Sequence, residues 1–312
     1  IGNTIPKIIS KIIASRLGEI SNWVITSNQF GFFPGRSIQN CIFTTSECVN
    51  IMRKRVRDGC FSLKLDILKA FDTIKWDFIF SILRKHGISN SFIKIVNAIF
   101  RSSHLSVLIN GSPRGYFPFS KGVRQGDPLS GFLFAMYEDY LSVGINDLVK
   151  AGLYKNLNAG RNIFSPSHLF YADDILMFGQ DDRGTVSSVQ KIFIHYEEVS
   201  GQVISWNKSF VFFGNGMTLH KQNKIARILG VKKGTFPFTY MGVPLFWGRV
   251  KRIHLENISS KIITHLATWK GKNISLAGRV CLVNSVITSM FVYDFSVYRW
   301  HRTLIKELQA LI

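Results

Sequence analysis

The segment "FSLKLDILKAFD" alternates apolar and polar residues: Phe61, Leu63, Leu65 and Ile67 share one side, and Ser62, Lys64 and Asp66 share the other. The pattern predicts a half-buried strand whose last polar residue, Asp66, points away from its core. Beyond it the period lengthens. Phe78, Ile79, Ile82 and Leu83 recur at helical spacing, and Gly87 suits a C-terminal cap. A carboxylate at the tip of a strand that leads into a helix is well placed to be aimed into a cleft.

"SHLFYADDILMFG", Ser167 to Gly179, holds two short apolar runs on either side of Asp173 and Asp174. Each run has the length of a buried strand, so the stretch predicts a tight hairpin with both acids at its turn. A single turn aspartate is commonplace, because its side chain bonds its own backbone. Two between runs this apolar fit a structural turn and a functional site equally well. "LSVLI" and "SPRGYFPF" around Asn110-Gly111 predict another hairpin.

Three helices follow from the same reasoning. Asp127-Pro128 reads as N-cap and first helical residue ahead of Phe132, Leu133, Met136, Tyr140 and Leu141. Val186, Val189, Ile192, Phe193, Tyr196 and Val199 form a second helical stripe, with Asp181 and Asp182 at its start and Gly201 at its end. The next strand is expected to hold Lys208. Towards the end, Ile258, Ile262, Ile263 and Leu266 recur at helical spacing, interleaved with Lys251, Arg252, Lys261, Lys270 and Lys272. The Asn- and Gly-rich loop from Gly152 to Pro166 reads as a mobile insertion.

Charge narrows the function. The chain of 312 residues carries 39 Lys and Arg against 19 Asp and Glu, a formal charge of +20, which calls for a polyanion partner such as nucleic acid. The plainer alternative is an organellar or ribosome-associated protein with a basic surface. Cys41, Cys48, Cys60 and Cys281 are widely spaced, which points to neither a zinc site nor a disulfide framework and fits a reducing compartment. No apolar run reaches the roughly 18 residues that span a bilayer. The start "IGNTIPKIISKIIASRL" has neither a Met nor a signal-peptide cleavage pattern, so the chain reads as a piece of something longer.

Carboxylates that converge from neighbouring strands repel unless a cation cancels their charge, and hard cations prefer oxygen ligands. The natural occupant is a pair of Mg²⁺ ions about 3.5–4 Å apart, which can activate a hydroxyl and stabilise a leaving oxygen in phosphoryl transfer. With the basic charge, this points to nucleotide polymerisation.

"LKLDILKAFD", "GVRQGDPLSGFLF" and "FYADD", in that order, resemble the successive palm motifs of reverse transcriptases, specifically those of non-LTR (LINE-type) retrotransposons, and most closely those of plant elements. The resemblance extends through "NQFGFFPGRSIQNCI", "SGQVISWNKSFVFFG", "YMGVPLF" and "WKGKNISLAGRVCLVNSVITSM". It implies an α+β right-hand polymerase fold, with fingers over 1–59 and a palm over 60–215 that carries a fingers insertion near 88–121. A junction with the primer grip over 216–250 and a thumb over 251–312 complete it. The implied partners are an RNA template, a DNA primer, their RNA–DNA hybrid and dNTPs. The implied cofactor is two Mg²⁺, with Mn²⁺ as a substitute, and the implied location is nuclear.

Site roles follow position by position. Asp66 and Asp173 would be metal ligands, assisted by the backbone carbonyl of Ile67, and Asp174 would complete the acidic cluster. Phe71 occupies the steric-gate position, where an aromatic ring collides with a ribose 2′-OH; a core phenylalanine at a helix start fits it as well. Gln125 and Gly126 match residues that line the nucleotide and template pocket. Lys208 matches a lysine that can protonate departing pyrophosphate, the alternative being a solvated strand-edge lysine. Arg36 resembles a fingers residue near template or triphosphate. Lys64 shares the polar side of Asp66's strand, where it could neutralise phosphate or pair with a carboxylate. Tyr240, Met241 and Gly242 match the primer grip. The basic helical face near the end would suit the hybrid, against a merely solvated face.

Competing readings are a catalytically silent RNA-binding remnant and a group II intron maturase-like reverse transcriptase. An RNA-dependent RNA polymerase would carry a polar group where this chain has Phe71. Two features depart from the family pattern: Leu68, where a small serine is usual, and "YEDY" at 137–140. A bulky Leu68 is expected to crowd the metal site.

Overall fold

A computed structural model describes residues 4–33, 35–54, 59–160, 165–270 and 275–311. Helices α1 (Thr4–Val24) and α2 (Ile38–Arg53) precede β1 (Cys60–Leu65). Then come the four-residue α3 (Ala70–Thr73), α4 (Trp76–Lys85), α5 (Asn90–Arg101) and the hairpin of β2 (His104–Ile109) and β3 (Ser112–Pro118). The expected single helix after Asp66 is thus two, separated at Ile74 and Lys75, whose backbones are extended. Asn110 and Gly111 both take positive φ, the twist a two-residue hairpin turn requires.

Helix α6 (Pro128–Lys150) starts as expected, with the Asp127 carboxylate accepting from the Leu129 N–H and Pro128 in the first turn. Strands β4 (His168–Tyr171) and β5 (Asp174–Gln180) form the aspartate hairpin, and α7 (Arg183–Ser200) runs from its Asp182 cap to left-handed Gly201. A 3₁₀ turn (Trp206–Lys208) leads into β6 (Phe210–Phe213), α8 (Leu219–Leu229) and β7 (Lys232–Lys233). The hairpin of β8 (Phe238–Tyr240) and β9 (Val243–Leu245) precedes α9 (Arg252–Lys270), α10 (Leu276–Leu282), α11 (Thr288–Val297) and α12 (Arg302–Leu311).

The main sheet has the order β4-β5-β1-β6-β7, with β1 antiparallel to both neighbours and β7 parallel to β6. Both faces are covered. Phe61, Leu63, Leu65, Ile175 and Met177 pack with Phe78, Leu133, Tyr137, Val189 and Phe193 from α4, α6 and α7. On the other face Cys60, Leu176 and Phe178 join Val49 and Met52 of α2, Tyr240 and Leu245 of β8–β9, and Leu304 and Leu308 of α12. Each such side chain contributes about 1.5–3 kcal/mol on burial. The half-buried strand of the sequence pattern is therefore buried on both sides: Ser62 has no exposed surface, and only Lys64 and Asp66 are partly open.

The loop after α6 is also better packed than its composition implies. Tyr154, Leu157 and Ala159 are buried, and the Lys155 carbonyl accepts from the Gln180 N–H of β5; residues 161–164 lie outside the described part. Among the described residues no helix is long and apolar enough to cross a membrane.

Candidate active site

The register of β1 against β5 pairs Leu65 with Ile175. That is the last pair of the ladder, and Asp66 and Asp174 are the next residues on the two chains at this end of the sheet. Asp173 follows in the two-residue turn, in which Ala172 adopts a left-handed φ of 52°. The sheet thus brings Asp66 near Asp173 and Asp174, which lie more than a hundred residues further along the chain. Burial pushes the Asp174 carboxyl up, Lys64 pulls it back down, and Asp173 and Asp66 push it up again.

Asp66 sits where β1 leaves the sheet, and the following backbone is tied to the stretch before β6. The Asp66 N–H donates to Ser209 Oγ, its carbonyl accepts from the Ser205 N–H over 2.8 Å, and the Leu68 N–H donates to the Val203 carbonyl. Ile67 is buried and bridges Ile204. Leu68 is 41 % exposed. Lys208, expected in a strand, instead ends the 3₁₀ turn with its side chain in solvent.

Phe71 is half-buried on α3, stacked on Phe134 with ring centres 4.5 Å apart and meeting Phe32 edge-on. Its carbonyl accepts from the Val123 N–H over 2.7 Å, which fastens α3 to the loop ahead of α6. Only glycine fits at 122: its φ is +80°, and a Cβ there would lie 2.8 Å from the Phe71 and Asp72 carbonyl oxygens. In the same loop Gln125 and Gly126 are exposed, Gly126 with φ +77°.

Lys64 Nζ donates over 3.0 Å to the Thr239 carbonyl of β8. It thereby links the acids to the β8–β9 hairpin, whose turn is Met241 (φ +47°) and Gly242 (φ +81°). Tyr240 is buried beside Cys41, and Tyr293 Oη of α11 donates to the Met241 carbonyl.

Two basic groups are committed elsewhere. The Arg36 guanidinium, read as a phosphate neighbour, donates to the backbone carbonyls of Thr26, Ile25 and Gln29 and lies over the Phe33 ring. It closes its own loop, and burial holds its pKa below the usual value. In the basic face near the end, Arg252 pairs with Glu256 and Glu307, while the side chains of Lys261 and Lys270, and Lys272 altogether, lie outside the described residues.

The sequence reading missed Gln29. Its Oε1 accepts from the N–H of Gly31 (2.9 Å) and of Ala172 (3.3 Å), the first residue of the aspartate turn. On either side of it, Phe30 N–H donates to the Phe170 carbonyl and Phe170 N–H to the Asn28 carbonyl. A Cβ on Gly31 would lie 2.6 Å from the Ala172 nitrogen, so the segment can brace the turn only with glycine there. The available signal was a glutamine inside the apolar, glycine-bearing "NQFGFF".

Among the described residues no group of three or more His, Cys, Asp or Glu side chains is placed to hold a metal ion by itself. The donor chemistry nevertheless fits Mg²⁺, which is typically held by one or two carboxylates together with substrate phosphates rather than by an all-protein cage. Asp66, Asp173 and Asp174 are such oxygen donors, and the charges of Asp173 and Asp66 both help to push the Asp174 carboxyl up.

Residues 1–245 match the reverse transcriptase (RNA-dependent DNA polymerase) family. Over 302 residues the chain is 28% identical to the transposon TX1 uncharacterised 149 kDa protein of Xenopus laevis, covering 92% of this chain and 22% of that protein. Over 264 residues it is 26% identical to the Pol polyprotein of the type-2 retrotransposable element R2DM of Drosophila melanogaster, covering 81% of this chain and 24% of that one. The chain therefore spans about a quarter of these relatives' length. Among solved structures, apo telomerase from Candida tropicalis superposes with a TM-score of 0.54 at 12% identity, covering 97% of this chain and 53% of that one. The same enzyme with a fragment of telomeric RNA gives 0.53 at 11%, covering 97% and 49%. The fold is that of right-hand polymerases, and the chain belongs to the reverse transcriptase family, with relatives among non-LTR retrotransposon polyproteins.

Proposed function

We propose that this chain extends the 3′-OH of a DNA primer on an RNA template. The observation that carries the reading is that Asp66 and Asp174 lie at the same end of the β1–β5 ladder, just beyond the pair of Leu65 and Ile175, with Asp173 in the adjoining turn, in a chain of charge +20. When bound, two Mg²⁺ (or Mn²⁺) would lower the pKa of the primer hydroxyl and neutralise charge on the departing pyrophosphate.

The protein's own residues hold and select. Asp66 and Asp173 anchor the cations, with Asp174 adding negative charge beside them and Lys64 limiting the repulsion. Phe71 limits the space beside the incoming sugar and so favours deoxynucleotides. Gln125 and Gly126 border the nucleotide and template, and Tyr240 to Gly242 hold the primer end, joined to the acids through the bond between Lys64 and Thr239. Lys208, exposed beside the Asp66 backbone, is available to protonate pyrophosphate. The unpaired lysines supply sequence-independent phosphate attraction to the RNA–DNA hybrid.

The test is primer extension on an RNA template with dNTPs and Mg²⁺, comparing the chain with Asp173→Ala. Loss of the carboxylate should remove several kcal/mol of transition-state stabilisation, about a thousandfold in rate. Affinity for the primer–template should hold, because removing an acid from a basic surface does not weaken phosphate attraction. Binding without extension by the parent chain would instead identify an RNA-binding remnant.

A further inference from the structure

Behind Phe71 runs a buried polar chain that the polymerase reading leaves unused. Glu138 on α6, Tyr196 on α7 and Gln202 just beyond it are all buried. Tyr196 Oη lies 3.1 Å from Glu138 Oε1 and 2.9 Å from Gln202 Oε1. Gln202 Nε2 donates over 2.9 Å to the carbonyl of Ala70, the residue before Phe71, and Tyr137 Oη reaches that carbonyl at 3.4 Å.

Counting protons fixes the state of this chain. Exchanging the amide N and O of Gln202 would set two acceptors face to face at Ala70, so its Oε1 faces Tyr196 and must receive the tyrosine's one proton. Nothing is then left to place between Tyr196 Oη and Glu138 Oε1 unless Glu138 carries it. Glu138 Oε2 has no hydrogen-bond partner, which a buried carboxylate tolerates far less well than a carboxylic acid. An ionised Glu138 would also draw the tyrosine proton to itself and release Gln202. Burial favours the neutral acid too, pushing the Glu138 carboxyl up to about 8 against the pull of the Tyr196 bond, with Asp173 adding to the rise.

The far end of the chain is where support is needed. Helix α3 is four residues long, too short to satisfy its own carbonyls, and begins after left-handed Lys69 with no side-chain cap. We propose that Gln202 is a positioning residue for sugar selection: with Tyr196 and a protonated Glu138 it forms a chain of donors ending on the Ala70 carbonyl, which holds the Phe71 ring in place. This deepens the gate reading and rests on it.

The test pairs two measurements on the parent chain, Gln202→Met, Tyr196→Phe, Glu138→Gln and Phe71→Ala. One is discrimination between a deoxynucleotide and its ribonucleotide in primer extension; the other is amide hydrogen exchange over residues 70–75. Gln202→Met should lower discrimination roughly fivefold, the worth of one net hydrogen bond, through a lower KM for the ribonucleotide with kcat for the deoxynucleotide little changed. It should also speed exchange at 70–75, and Tyr196→Phe should do the same to a smaller extent. Glu138→Gln, a neutral donor of the same shape, should match the parent in both. Unchanged exchange in Gln202→Met, an equal fall in kcat for both sugars, or lost discrimination in Glu138→Gln would overturn the proposal. Unchanged discrimination in Phe71→Ala would sink the gate reading instead, and exchange at 70–75 then decides by itself whether Gln202 braces this segment.

Discussion

The hairpins β2–β3 and β4–β5 are both short and antiparallel with two-residue turns, yet every residue of the first is exposed while Leu169, Phe170 and Ile175 to Phe178 of the second are buried. The first pairs only with itself; the second is held by β1 along one edge and by Asn28 to Phe30 along the other. The turns differ accordingly. Asn110-Gly111 adopts its backbone at little cost, whereas Ala172 is held left-handed, which costs an L-residue roughly 1–2 kcal/mol. A hairpin without lateral support needs a turn that folds by itself. One clamped on both edges can carry strain, and the strained turn is the one that bears Asp173 and leads into Asp174.

Acid should separate the two hairpins most strongly. His168, which opens β4, is buried with its ring nitrogens against Ser142 Oγ (2.7 Å) and Ser167 Oγ (2.8 Å), and burial drops its pKa to about 3. A folded-state pKa depressed below the unfolded 6.5 means that its contribution is full above about pH 6.5 and is lost as the pH falls towards 3. The slope is about 1.4 kcal/mol per pH unit. Urea unfolding between pH 7 and 4 should show it, with a clearly shallower fall in His168→Gln; equal slopes would mean that His168 does not titrate this way.

Ala172→Gly should relieve the turn, raising stability by about 1 kcal/mol after the added freedom of glycine in the unfolded chain is subtracted. Thermal unfolding reads this directly, and a loss of stability would show that the turn is unstrained. The smallest effect belongs to the exposed hairpin: Leu108→Ser, at a residue 68 % exposed, should shift stability by no more than about 0.5 kcal/mol. A larger loss would reveal that β2–β3 is covered by something in solution.

Much of the frame was legible. The Asp127-Pro128 helix start, the Asp182 and Gly201 caps and both hairpin turns depend on residues a few positions apart, so the local pattern carries them. The candidate acids were legible because charges inside apolar runs need a reason. The partners that Arg36 takes were not legible, because backbone carbonyls carry no sequence label. Gln29 escaped for the same reason, since it serves the N–H of Ala172, a residue far along the chain.

The sequence by itself determined periods, caps, turns and the order of the motifs, because backbone geometry ties these to near neighbours. Tertiary structure decided that β1 lies between β5 and β6, which buried Ser62, brought Asp66 to the sheet end that carries Asp174, and closed α6 and α7 over Glu138 and Tyr196. Those outcomes turn on which distant segments meet, and the charge state and accessibility of a polar group follow from what surrounds it.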